Sequence, residues 1–169
     1  MTLNQRIRRV GKLCCHFLRN LAFYRAWFDA GEPHSNKQFW VNANGNFLDI
    51  AVLEWCKLFA DTRGTHNFCK VVGDELVFKA ILFDSIDVTS AEFDEYIIQM
   101  KTYRDKFVAH LNELNEIEIP CLEIAKRSVV FLYQYLLEHD NNNVFQDAPV
   151  SADVFYDKFY EQGITVYRA

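Results

Sequence analysis

Apolar residues recur along the first thirty positions at alternating steps of three and four: Ile7, Val10, Cys14, Phe17, Leu21, Tyr24 and Phe28. That spacing paints one buried stripe on an α-helix and predicts a helix from Leu3 to Asp29, stopped by Gly31 and Pro33. The stretch "GEPHSNKQFWVNANGN" is dense in loop residues, so a loop is expected over 31–46. A second helix is expected to begin near Asn46, to bury Leu48, Ala51, Val52, Trp55, Leu58 and Phe59, and to end before Gly64. From His66 to Ser85 the pattern is apolar but broken by Gly73, which predicts one kinked helix or two short ones.

Thr89 followed by Glu92 has the spacing of a capping box, in which hydroxyl and carboxylate each satisfy a backbone N–H that the first turn leaves open. The helix it opens carries the stripe Phe93, Tyr96, Met100, Tyr103, Phe107, His110 and Leu114. Pro120 suits the first turn of the next helix, whose sequence "CLEIAKRSVVFLYQYLLEHD" runs to a stop at Asn141–Asn143. Ser151 and Gly163 bracket a last short helix and leave a six-residue tail. The expectation is one all-α domain over 1–169, with the core bundle over about 3–140 and the short C-terminal helix and tail over 150–169.

Half of the 169 residues are apolar and 15% are aromatic, while only 6 Gly and 3 Pro interrupt them, which suits a packed helical core and excludes a disordered chain. Charged residues break every apolar run before it reaches the eighteen or so a spanning helix needs, so no membrane segment is expected. Five cysteines, an odd number with no two-residue gap, indicate neither a disulfide framework nor a zinc knuckle. Reduced thiols in a cytoplasmic protein are the expectation. His66 and Cys69 stand one helical turn apart, but no second pair with ligand spacing follows, so neither a metal nor another cofactor is called for.

The net charge of −5 hides an asymmetry, because residues 1–28 hold six basic residues and no acid, leaving −11 on the other 141. A basic start of this kind superficially suggests an organelle transit peptide, but the unbroken stripe reads as a core helix. Arg8, Lys12 and Arg19, spaced by four and seven, fall along one flank of it. They read either as a solvated face or as a stripe contacting RNA phosphates.

The stretch "YRDKFVAHLN", 103–112, places Arg104, Asp105 and His110 within seven positions. On a regular helix Arg104 and His110 lie about 60° to either side of Phe107 and about 9 Å apart along the axis, so one helix does not bring them to a single phosphate. Packing the stripe antiparallel against its copy would bring Arg104 of each chain towards His110 of the other. Histidine can take the proton of a ribose 2′-hydroxyl and arginine can hold phosphate oxygens as charge builds, with no metal required. Asp105 points away from the seam, where it can orient a neighbouring helix or a basic residue. Asn112 can hydrogen-bond ribose or backbone groups as the helix ends.

Arg104 to His110, with five residues between and the polar Asp105 directly after the arginine, resembles the motif of the HEPN superfamily. "RDKFVAHLN" is similar in particular to the abortive-infection branch, where alanine commonly precedes the histidine. The resemblance implies an up-and-down bundle of about four to six helices, a homodimer with paired motifs facing across the interface, and metal-independent endoribonuclease activity in a defence or toxin–antitoxin system. His110 would be general acid or base and Arg104 the phosphate clamp, with an antitoxin or other protein as a possible partner. Members silenced by nucleotidylation carry a tyrosine two residues after the histidine, where this chain has Asn112. The competing reading is a non-catalytic helical module that dimerises or binds RNA or a nucleotide, with His110 packed as a core residue. Trp40 and Phe39 can stack on bases or cap the end of the bundle.

Overall fold

The computed structural model describes residues 1–31, 37–108 and 119–168. It is an all-helical bundle with no strand among the described residues. Its elements are α1 (Leu3–Asp29), α2 (Gln38–Trp55) prolonged by a π-helical turn (Cys56–Ala60), a 3₁₀ turn (Phe68–Lys70), and α3 (Glu75–Ile86). Then come α4 (Ser90–Tyr103), prolonged by a second π-helical turn (Arg104–Val108), α5 (Leu122–Glu138) and α6 (Ala152–Arg168). No described helix is long and apolar enough to cross a membrane.

α1 runs through the middle of the bundle, packing on α2, α5 and α6. The Thr2 hydroxyl and Gln5 amide form a capping box at its start, and Val10, Cys14, Phe17 and Leu21 of the expected stripe are fully buried. Phe28, the last member of that stripe, is 62% exposed, because α1 has by then passed the end of the main core. Its ring instead packs edge-on against Tyr24. All six expected core positions of α2 and its π turn are buried, and Trp55 is their centre. The Trp55 ring stacks on Phe59 and meets Tyr96 edge-on, while its Nε1–H donates to Ser128 Oγ at 2.9 Å.

Three boundaries differ from expectation. α2 begins at Gln38, eight residues before Asn46. Trp40 packs on Tyr167 of α6, and Phe47 packs on Phe23, so tertiary contacts override the loop preference of the Asn and Gly residues between them. Region 66–85 resolves into the 3₁₀ turn and α3, separated around Gly73, and Asp74 caps α3 through the N–H groups of Leu76 and Val77. α6 continues through Gly163 to Arg168, so Gly163 does not end the helix. A Cβ there would stand 2.7 Å from Ala26 Cβ and 3.2 Å from Phe23 Cδ1, so this glycine lets α6 approach α1. Pro120, expected inside the first turn of α5, instead precedes its N-cap residue Cys121.

Gly163→Ala is therefore expected to destabilise the fold. The gain in helix propensity is about 1 kcal/mol, whereas forcing a methyl into a closed helix contact costs about 1–3 kcal/mol. Ala26 cannot yield, because its Cβ sits directly on the α1 backbone. A melting temperature lower by a few degrees should be seen by circular dichroism; a rise would mean that the two helices part without cost.

Candidate functional site

α4 delivers Arg104. The Thr89–Glu92 capping box starts that helix as expected: Glu92 N–H donates to Thr89 Oγ1, and Thr89 N–H donates to Glu92 Oε2. The carboxyl of Glu92 is held below its ordinary range by the Thr89 backbone N–H it accepts. Phe93, Tyr96, Met100 and Tyr103 are buried in the bundle of their own chain. The Tyr103 hydroxyl donates to Asp49 Oδ1 of α2 at 3.0 Å. That part of the stripe is therefore core of its own chain.

At Arg104 the helix widens into a π turn. Such insertions recur at functional sites, because they re-aim side chains that a regular helix would direct elsewhere. The projection of Arg104 and His110 to either side of Phe107 assumed a regular 100° step, which Arg104–Val108 does not follow. α2 also ends in a π turn, and Asp61 follows it, its N–H bonded back to Cys56 O. The two widened ends meet through Asp61 and Arg104.

The guanidinium sits between two carboxylates: Nη1 donates to Asp61 Oδ1 at 2.7 Å and Nε donates to Asp105 Oδ1 at 2.8 Å. Only 18% of the Arg104 side chain is exposed, against 39% of Asp61 and 57% of Asp105. The hydrogen bond to Asp105, with that to Asp61, pushes the arginine further above its already high ordinary value, so it is a permanent cation. Beneath it lies buried Cys56, whose thiol is pushed up to about 12 by burial, although the Arg104 charge pulls the other way. It is therefore a neutral thiol, not a nucleophile, near neutral pH.

Asp105, expected to face a neighbouring helix or a basic residue, accepts from Arg104 Nε, its own neighbour in sequence. Asp61 was not anticipated, since it lies forty-three residues upstream on another helix end. His110 and Asn112 fall within 109–118, outside the described residues, as do the side chains of Phe107 and Val108 and the Leu114 end of the stripe.

The basic flank of α1 occupies a different place. Arg8, Lys12 and Arg19 line one wall of an open cleft of about 440 Å³, together with His16. The facing wall comes from the 140–149 turn, α5 and α6, and includes Tyr133, Phe145, Asp147 and Phe155. The turn is tied by Asp140, whose carboxylate accepts the N–H groups of Asn142, Val144 and Phe145. It lays the Phe145 ring over Gly11, where any Cβ would collide with it. The Tyr133 hydroxyl donates to Pro149 O at 2.7 Å and fixes the far end of the turn. Three side chains singled out by spacing alone thus share one cleft, and none of the residues lining it belongs to the Arg104 cluster.

Among the described residues no group of three or more His, Cys, Asp or Glu side chains is arranged to hold a metal ion. No protein-family model, curated protein or solved structure matches the chain.

Proposed function

We propose that the chain is a HEPN-like, metal-independent endoribonuclease that works as a homodimer, with Arg104 as phosphate clamp and His110 as general acid and base. The observation that carries this reading is Arg104 itself: a permanent cation one-fifth exposed, set by two carboxylates at a π turn, with five residues between it and a histidine. Asp61 and Asp105 act as positioning residues in this reading. They fix the plane of the guanidinium, and an arriving phosphate shares or replaces one of them.

The chemistry needs few parts. One histidine takes the proton from the ribose 2′-hydroxyl, the oxygen attacks phosphorus, and the 5′-oxygen leaves with a proton returned by an acid. Arg104 stabilises the charge that gathers on the non-bridging oxygens. The products are a 2′,3′-cyclic phosphate and a 5′-hydroxyl. Because Phe93 to Tyr103 is consumed by the bundle's own core, the partner chain would approach at the end of α4, beyond Tyr103. A defence or toxin–antitoxin role follows only from the resemblance of the motif.

One observation favours the competing reading of a non-catalytic module. A guanidinium already paired with two carboxylates is also what a structural ion cluster looks like. Incubating single-stranded RNA with the protein in excess chelator distinguishes the two. The enzyme reading expects cleavage that persists and leaves cyclic phosphate ends, from a species of about twice 19.9 kDa by light scattering. Intact RNA, or a clean monomer that still cuts, would overturn the dimeric enzyme.

A further inference from the structure

Among the described residues Arg8, Lys12 and Arg19 form no ion pair, although acids outnumber bases in the chain by five. Arg19 has only the Phe159 ring, with 5.8 Å from its guanidinium carbon to the ring centre. The charge of the two arginines and the lysine is thus aimed at the cleft uncompensated, with Asp147 as the one acid in the facing wall.

The cleft does not end at Arg8. A second hollow of about 400 Å³, lined by Met1, Gln5, Arg8, Arg9 and Lys12, shares two residues with it. Together they make a trough along α1 from Gln5 to Arg19, about 21 Å at the rise of a helix. Beyond Arg9, burial and then the charges of Arg9 and Lys57 lower the pKa of His66, while Glu54, ion-paired to Lys57 at 3.2 Å, opposes them.

We propose that this trough binds single-stranded RNA, with backbone phosphates on Arg8, Lys12 and Arg19 and a base against Phe155. The inference rests on the RNA reading of the chain and names the form of RNA and its path, but it does not rest on cleavage. Basic grooves joined to exposed aromatic faces are how single strands are held without sequence reading, because every base has a face to stack. Phe155 is half-buried at the wall, whereas Tyr133 is buried and Phe145 is needed to close the turn over Gly11. A duplex presents its phosphates outward and its bases stacked inside, so it cannot use the Phe155 face. A mononucleotide fills one hollow only and leaves the run of cations largely unused.

The test is fluorescence anisotropy with labelled twelve-nucleotide single-stranded RNA, the matching duplex and a labelled mononucleotide, all measured on Arg104→Ala protein so that cleavage is suppressed, with the RNA checked for integrity on a gel after each titration. The single strand is expected to bind at least tenfold more tightly than either competitor. Replacing Arg8, Lys12 and Arg19 together by Ala should weaken it and flatten the slope of log affinity against log salt by about two, at roughly 0.7 per contact. Phe155→Leu should weaken it by roughly five- to tenfold with the slope unchanged, since stacking is lost and no counterion is involved. Circular dichroism melts confirm that each variant is folded. Equal binding of duplex or mononucleotide, an unchanged salt slope in the triple variant, or no binding by a folded protein overturns the proposal. Failure here with cleavage by the wild type intact leaves the nuclease reading standing, whereas binding without wild-type cleavage removes the nuclease and keeps the trough.

Discussion

Arg104→Ala is expected to lower RNA cleavage by roughly a hundredfold or more while leaving the chain folded. The two halves of that expectation come from different features of the same residue. Catalytic loss follows because the guanidinium is the one described cation fixed at the motif, and removing a donor aimed at developing charge costs about two to three orders of magnitude. Structural tolerance follows because Asp61 and Asp105, once released, are 39% and 57% exposed and regain water. Ion pairs with partners of that exposure contribute on the order of 1 kcal/mol or less, so the melting temperature should move by only a few degrees.

Arg104→Lys sharpens the test. A lysine ammonium can still reach a carboxylate and hold the fold, but it lacks the planar fork that presents two parallel N–H donors to phosphate. Its cleavage should recover only in part. His110→Ala, read in the same assay, should fall about as far as Arg104→Ala, a typical share for general acid–base catalysis. Under the scaffold reading the pattern inverts: neither wild type nor variant cuts RNA, and His110→Ala loses stability through a cavity or an unmade buried hydrogen bond. An inert wild type beside a low-melting His110→Ala protein would sink the enzyme.

What could be read from the chain was whatever local periodicity and capping control. The ends of α1, the buried face of α2 and the capping box of α4 follow from residues within a few turns of one another. The early start of α2 did not, because Trp40 is drawn into helix by Tyr167, 127 positions later. Gly163 looked like a terminator because a missing side chain serves equally to end a helix or to admit a neighbour, and only the position of Ala26 distinguishes them. The same division runs through the candidate sites. Arg8, Lys12 and Arg19 were visible as one flank, but Phe145 and Phe155, which make that flank a cleft, come from the other end of the chain. Arg104 was visible as a motif residue, while Asp61 and the two π turns that bring it near carry no pattern that local spacing can expose.

Trp55→Ala should be the most destabilising single change in the core, by about 3–5 kcal/mol, the usual cost of emptying a fully buried large aromatic. Trp55 is 0% exposed and sits where α2, α4 and α5 meet: its ring touches Phe59, Phe93 and Tyr96, and its Nε1–H reaches Ser128. Most of the loss is cavity and contact. Ser128 keeps the bond from its hydroxyl to Ala125 O at 2.9 Å, so no donor is stranded when the indole goes. Trp55→Phe isolates the difference, since it retains most of the ring while removing the N–H, and should cost only about 1–2 kcal/mol. In a domain of this size each kcal/mol moves the melting temperature by about 2–4 °C, so the alanine variant should melt roughly 6–20 °C lower. Trp55 is also the last residue before the π turn Cys56–Ala60, which leads directly into Asp61. Its loss should therefore loosen the support of Arg104 before the whole bundle unfolds, lowering cleavage at temperatures where circular dichroism still reports full helix. Guanidinium titrations followed at 222 nm give the stability change directly, and a loss below about 1 kcal/mol would remove Trp55 from the centre of the core and that route to Arg104 with it.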